Sequence, residues 1–407
     1  MGDTREMSSD IPPQICKTLK QLVSGDNENF EIAYHNPNKK GEGFSGEVIF
    51  VTLKDKKTNK ELNVIVKQSF RDQAIRDWAP IRDMYMNEIY FYSKVWPTLD
   101  KFQEQIPIKY RFQKIPKCLT TASNDDFEYL VIENLKFQNF LNHDKKLPLD
   151  KDYYELIFKE YGKFHALSFA YKALHPEEYV DLVEGLTNLY VEIITNETFQ
   201  KTMKYSYESC IESLQPGVDD AVIEKLQPYL QNYLNLILEI FECKTKYSVI
   251  THGDCWSSNM MFKYDESKKV TDVRFLDFQL ARPTSPCCDL SYCFYSGASR
   301  EVLKDLDYYL QIYHDSLSET LKQFGCDSGK LYPLQELKKD WKIFCKFGLN
   351  MALMVWKVKF IYDDEVKTAT DIENGEFDKM FQGGYDKDGY NKAIKDLVNH
   401  FHENGFL

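Results

Sequence analysis

Near residue 134 the spacing of apolar residues changes from a period of about two to a period of about 3.6, and this switch constrains the fold more than any other feature. Before it, residues 47–53 alternate imperfectly between apolar and polar, a polar turn follows at 54–61, and residues 62–67 form a second β-rich run. The pair reads as a hairpin. Residues 84–95 carry apolar side chains at helical spacing and stop at Pro97, and residues 129–133 read as a short buried strand. After the switch, Leu156, Tyr161, Phe164, Leu167 and Tyr171 approximate one helix face, as do Leu303, Leu306, Leu310, Tyr313 and Leu317. Short strands near 248–251 and 273–276 interrupt the helices, and polar, Gly-containing residues 363–391 read as surface loops before a last helix over 392–401. The expectation is an α+β chain of two lobes: a small antiparallel sheet with one helix over residues 1–134, and a larger, mostly helical lobe over 135–407.

A length of 407 residues suits two lobes sharing a cleft, and a hydrophobic fraction of 43% supplies a core for both. The net charge of −12, with no basic patch, argues against nucleic acid or an anionic membrane as partner. Ten cysteines without a C-x-x-C pair indicate neither a zinc site nor a disulfide framework. The first ten residues are polar and acidic, unlike a signal or transit peptide, and Glu6 stands where a myristoylation pattern needs Ser or Thr. The most apolar stretch, 343–356, is interrupted by Lys346 and Asn350 and falls short of the roughly 20 residues of a membrane span. It is expected to be a buried helix of a cytoplasmic protein with no obligate protein partner, in which the Asn196-Glu197-Thr198 sequon stays unmodified.

Several motifs carry chemistry. Gly41-Glu42-Gly43-Phe44-Ser45-Gly46 matches G-x-G-x-x-G, a loop whose backbone N–H groups can approach phosphates because no Cβ intervenes. It runs into a strand rather than a helix, which separates it from a dinucleotide-binding loop. Lys67 ends the run Val64-Ile65-Val66, the arrangement of the V-A-I-K lysine that contacts nucleotide phosphates. Singly it reads as an exposed strand-end lysine. Glu88, in the next helix, is placed to pair with it, with Glu61 the nearest alternative. His252-Gly253-Asp254 followed by Asn259 repeats the Asp-x-x-x-x-Asn spacing of a kinase catalytic loop, where the Asp handles the hydroxyl proton and the Asn binds metal. Asp277, before Phe278, matches the metal-binding aspartate. Two carboxylates about 5 Å apart would repel by roughly 3 kcal/mol at an effective dielectric near 20, so convergence of Asp254 and Asp277 implies a cation, Mg²⁺ bridged to ATP. Asp289 reads either as a helix N-cap or as a brace for the catalytic loop; His252 is assigned no chemical role.

Gly253 in place of the H-R-D arginine, Gln279 in place of the D-F-G glycine, and the short interval between Asp277 and Asp289 argue against a protein kinase. On 41–46, 64–67, 87–92, 129–135, Phe164-His165-Ala166, 252–259, 276–282 and Asp289-Leu290, the chain resembles the ecdysteroid kinase-like family, within the choline kinase and aminoglycoside phosphotransferase group. That resemblance implies a two-lobed protein kinase-like fold and ATP- and Mg²⁺-dependent phosphorylation of a small-molecule alcohol, a steroid or a hydroxylated xenobiotic. A choline- or ethanolamine-type kinase and a nucleotide-binding pseudokinase scaffold are the alternatives. It further implies that Asp254 is catalytic, that Gly41, Gly43, Gly46, Lys67 and Glu88 hold the nucleotide, and that Asn259 and Asp277 hold the metal. Glu133-Asn134-Leu135 would be the linker whose backbone meets adenine. The aromatics Trp341, Phe344, Phe347 and Trp356 read either as lining for a steroid-sized cavity or as ordinary core.

Overall fold

A computed structural model describes residues 12–24, 30–35, 46–124, 127–362, 365, 381 and 383–407. Helix α1 (Pro13–Ser24) and strand β1 (Phe30–His35) precede the expected hairpin, which is β2 (Gly46–Asp55) and β3 (Glu61–Ser69). Helices α2 (Gln73–Trp78), α3 (Ile81–Tyr90) and α4 (Trp96–Gln103) then lead to β4 (Cys118–Ser123) and β5 (Glu128–Glu133). The five strands form one antiparallel sheet in the order β1-β2-β3-β5-β4. Alternation on β3 explains its two faces. Val64 and Val66 pack with Ile15 and Leu19 of α1, whereas Lys67 turns to the opposite face, toward α3.

This region holds more helix than its sequence suggests. The expected helix over 84–95 is α3 followed by a π-helical turn, Phe91–Val95, and Pro97 does not stop the chain because it sits in the first turn of α4, where a missing N–H costs nothing.

A 3₁₀ turn (Leu135–Gln138) and β6 (Leu141–Asn142) lead into the helices α5 (Lys151–Leu174), α6 (Pro176–Glu184), α7 (Tyr190–Thr195), α8 (Glu197–Glu212) and α9 (Asp220–Glu242). Strands β7 (Val249–Thr251), β8 (Met260–Tyr264), β9 (Val270–Phe275) and β10 (Arg282–Thr284) form two small antiparallel sheets, β10-β7 and β6-β8-β9. Helices α10 (Pro286–Tyr295), α11 (Arg300–Lys304), α12 (Leu306–Gln323), α13 (Ser328–Leu331), α14 (Leu334–Phe360) and α15 (Lys387–Glu403) complete the chain. The face spanning Leu303 to Leu317 is broken at Asp305, where the backbone leaves helical geometry, and α15 starts five residues before the expected boundary, capped by Asp386.

One apolar core runs through the helical part, with α5 packed along α12 and α10 along α14. Stretch 343–356 is the buried middle of α14; its Asn350 is satisfied by Tyr207, whose hydroxyl donates to Oδ1 at 2.8 Å. Among the described residues no helix is long and apolar enough to cross a membrane.

Candidate active site

Lys67 Nζ donates to Glu88 Oε2 and to Asp277 Oδ1, each at 2.6 Å, joining β3, α3 and the loop after β9. Burial opposes the ammonium charge, but Asp277 and Glu88 outweigh it and hold the Lys67 pKa above the ordinary lysine value. Burial pushes the Glu88 carboxyl up, to about 7, against the pull of Lys67. Glu61, the alternative partner, instead faces Lys54 at the surface, 3.9 Å away.

Gly46 opens β2 under a tight constraint: a Cβ there would lie 2.1 Å from the Gln68 carbonyl oxygen and from the Tyr85 hydroxyl. Packing against β3 and α3 therefore demands this glycine. Gly41 and Gly43 lie outside the described residues. The Glu133 side chain accepts from Lys117 N–H at 2.8 Å and Gln138 Nε2 at 2.7 Å, and its backbone N–H donates to the Lys117 carbonyl at 2.9 Å. Leu135 is buried with Phe140 and Met261, beside Leu276, the residue before Asp277.

The catalytic-loop sequence hangs from Asp289. Its carboxylate accepts from His252 N–H (2.6 Å), Gly253 N–H (2.9 Å) and the Cys255 thiol (2.9 Å), and lies 3.2 Å from His165 Nε2. Burial opposes its ionisation, yet these donors and the neighbouring imidazoles hold its pKa at about 2. The N-cap of α10 is Ser285, so of the two readings of Asp289 the brace is the one observed. His252 accepts Asp254 N–H on Nδ1 at 3.1 Å and donates from Nε2 to the Leu276 carbonyl at 2.8 Å; burial lowers its pKa, which suits the neutral ring these bonds require. Phe278 stacks on Phe91, centroids 4.0 Å apart, and tilts against His252 at 4.4 Å.

Gly253 has φ +90°, and a Cβ would meet the Leu280 carbonyl oxygen at 2.0 Å. The position that suggested only a lost arginine therefore admits nothing larger. Gly253→Ala is expected to destabilise the protein by at least ~2 kcal/mol, read as a drop in Tm, because strain and clash coincide. An unchanged Tm would show the loop to be more pliable than its hydrogen bonds imply.

Asp254 Oδ1 accepts from the Tyr292 hydroxyl at 2.9 Å and Oδ2 from Asn259 Nδ2 at 2.7 Å. Burial and the charge of Asp277 raise the Asp254 pKa to about 7, while those two hydrogen bonds pull the other way. The Asn259 amide donates to the Asp254 carbonyl and carboxylate, and its Oδ1 takes no hydrogen bond among the described residues. Leu276 N–H donates to the Asn259 carbonyl at 2.9 Å, tying that residue to the strand end that carries Asp277. Asp277 has φ +68°, a left-handed geometry uncommon outside glycine. Among the described residues one ammonium, Lys67, lies near three carboxyl groups, Glu88, Asp254 and Asp277. Among the described residues no group of three or more His, Cys, Asp or Glu side chains forms a metal site, but the Asp277 carboxylate and the Asn259 amide oxygen are hard donors of the kind that could hold Mg²⁺.

Sequence reasoning gave no individual role to four neighbours of the site. Tyr292 donates to Asp254; Tyr190 donates to the Gly253 carbonyl at 2.6 Å; Asn87 bridges three segments; and Arg282 is buried with its guanidinium over the rings of Tyr190 (4.2 Å), Phe241 (5.2 Å) and Phe347 (5.4 Å). Trp341, Phe344, Phe347 and Trp356 are all at most 2% exposed, so they are core rather than cavity lining.

The profile of the ecdysteroid kinase-like family matches residues 40–326. No curated protein matches the chain. Solved structures similar to it include the GDP complex of a point mutant of aminoglycoside 2'-phosphotransferase-IIIa (14% identity, 96% of this chain and 99% of that one, TM-score 0.43). A putative fructosamine-3-kinase from Haemophilus somnus (11%, 90% and 92%, 0.34) and a glucosamine kinase (10%, 94% and 83%, 0.32) are also similar.

Proposed function

The chain belongs to the ecdysteroid kinase-like family, a group of small-molecule phosphotransferases, and from that premise we propose that it is a cytoplasmic enzyme moving the terminal phosphoryl group of ATP, with Mg²⁺, to a hydroxyl of a neutral small molecule, an ecdysteroid or a hydroxylated xenobiotic. The observation that carries the reading is Lys67 bridging Glu88 and Asp277 while Asp254, half-buried and held by Tyr292 and Asn259, feels the Asp277 charge. On this reading residues 1–134 position the nucleotide and 135–407 hold the catalytic loop and the acceptor.

Each side chain then has a task. Lys67, fixed by Glu88, meets the nucleotide phosphates, and the glycine loop at 41–46 covers them with backbone N–H groups. The backbone of Glu133 and Leu135 meets the adenine edge. Asp277 and Asn259 would hold Mg²⁺, which when bound neutralises charge developing on the transferring phosphoryl group. Asp254, clamped by Tyr292 and Asn259, orients the acceptor hydroxyl and receives its proton. Its raised pKa matches a base working near neutrality.

Two alternatives fare worse. A scaffold without turnover would have shed one of Asp254, Asn259 and Asp277, and all three are present. A choline-type acceptor needs an aromatic cage for its cation. The cage beside this catalytic loop, Tyr190, Phe241 and Phe347, is already filled by the chain's own Arg282.

The test is ADP release from magnesium ATP with a panel of acceptors: ecdysteroids, hydroxylated plant compounds and choline. Turnover on a neutral alcohol and none on choline is expected; choline as the sole active acceptor would overturn the reading. Separately, Lys67→Ala is expected to weaken magnesium ATP at least tenfold in equilibrium titrations, and omission of Mg²⁺ to weaken wild type by a similar factor. Equal affinity in all four conditions would remove the nucleotide site.

A further inference from the structure

Asn87 sits one residue before Glu88 on α3, only 3% exposed, and its amide bonds three backbone groups distant in sequence. Nδ2 donates to the carbonyls of Gln279 (3.0 Å) and Ala281 (2.8 Å), and Oδ1 accepts from Thr187 N–H at 3.0 Å. Gln279 and Ala281 belong to the loop that carries Asp277 and Phe278. Thr187 lies in the connection to α7, whose first residue, Tyr190, donates to the Gly253 carbonyl beside Asp254. One side chain thus touches the helix holding Glu88, the loop holding Asp277 and the segment leading to the catalytic loop.

Two further contacts run along the same path. Tyr90, on the same helix, donates from its hydroxyl to the Leu182 carbonyl at 3.2 Å, and its ring occupies the space where a Cβ at Gly185 would fall, 2.1 Å away. The Phe278 ring, in the loop that carries Asp277, stacks on Phe91, just past the end of α3.

A helix docked only by apolar packing can slide or rotate by a fraction of a turn at little cost. Three directed hydrogen bonds from one buried amide cannot be kept through such a shift. We propose that Asn87 is a positioning residue that locks α3 to the Asp277 loop and to the α6–α7 connection, so that the Lys67–Glu88 pair stands ready without any external signal. This rests on the reading of Lys67 and Glu88 as the nucleotide site. Asn is the side chain that fits, since two carbonyls need donors and one N–H needs an acceptor from a single planar group.

The test is a double-mutant cycle on the Kd for magnesium ATP, with wild type, Asn87→Leu, Glu88→Gln and the double variant. Asn87→Leu keeps the shape and removes all three bonds. It is expected to weaken binding about tenfold in the wild-type background and less than threefold in the Glu88→Gln background, because its effect passes through Glu88. Asn87→Ala, which removes the same three bonds without adding bulk or charge, is read in the same cycle and serves if the Leu variant does not fold. Effects that multiply independently would overturn the proposal, reducing Asn87 to general packing. A Glu88→Gln variant that binds magnesium ATP like wild type would instead overturn the nucleotide-site reading itself.

Discussion

Replacing Asp254 with Asn is expected to cut phosphoryl transfer at least a hundredfold while magnesium ATP affinity changes no more than a few-fold. An alcohol is a weak nucleophile near neutrality, and a positioned base contributes on the order of 10²- to 10⁴-fold, about 3 to 5 kcal/mol of barrier. The substitution is conservative in this pocket. Its amide oxygen can keep the hydrogen bond from Asn259 Nδ2, and its amide N–H can turn to the Tyr292 hydroxyl, which rotates to accept. Shape therefore survives and the proton acceptor does not. Single-turnover rates on the acceptor found active measure the loss; transfer within a few-fold of wild type would show the catalytic loop to be misassigned. Stability supplies a second readout. The folded-state pKa is raised from 3.8 to about 7, so the folded protein binds more protons than the unfolded chain between these values, and wild-type stability falls as pH rises through that window. In metal-free buffer, Asp254→Asn should gain in Tm relative to wild type from about pH 4 to about pH 7.

Asp277→Asn should abolish turnover by a larger factor, on the order of 10³-fold, and remove the response of the remaining activity to Mg²⁺ concentration. The argument is electrostatic: the carboxylate contributes charge where the transferring phosphoryl group needs a cation held, and an amide contributes only a dipole. Folding should be nearly untouched. Asn tolerates the left-handed backbone at this position as well as Asp does, Lys67 retains Glu88 as its partner, and one of three crowded negative charges is gone. Thermal melting within a few degrees of wild type, beside lost turnover, is the expected pair of results. A melting temperature that collapses would mark the Lys67–Asp277 contact as a structural tie.

The candidate site residues stand out in the linear chain because each of the tasks proposed for them constrains residue type and spacing together. A loop that must present Asp254 and Asn259 on one side keeps them a fixed interval apart, and a strand end that must present Asp277 follows closely in sequence. The division into sheet and helices was legible for a similar reason, since burial on one face imposes a period. Even so, the period misplaced Pro97, merged α11 with α12 and started α15 late, because a π turn, a one-residue break and a capping Asp shift boundaries without altering the apolar pattern.

What no local pattern carried were partnerships between distant positions. Tyr292 reaches Asp254 across 38 residues, Asp289 holds the His252 and Gly253 amides across 37 and 36, and Asn87 reaches Ala281 across 194. Residue types there are uninformative, since a Tyr in an apolar helix and an Asn beside a Glu are ordinary. Only packing makes them specific. Residue identity and order set which groups the chain can bring to a reaction; the tertiary structure chose which of them meet, because a hydrogen bond is decided by distance and direction in space and sequence separation constrains neither once the chain has folded.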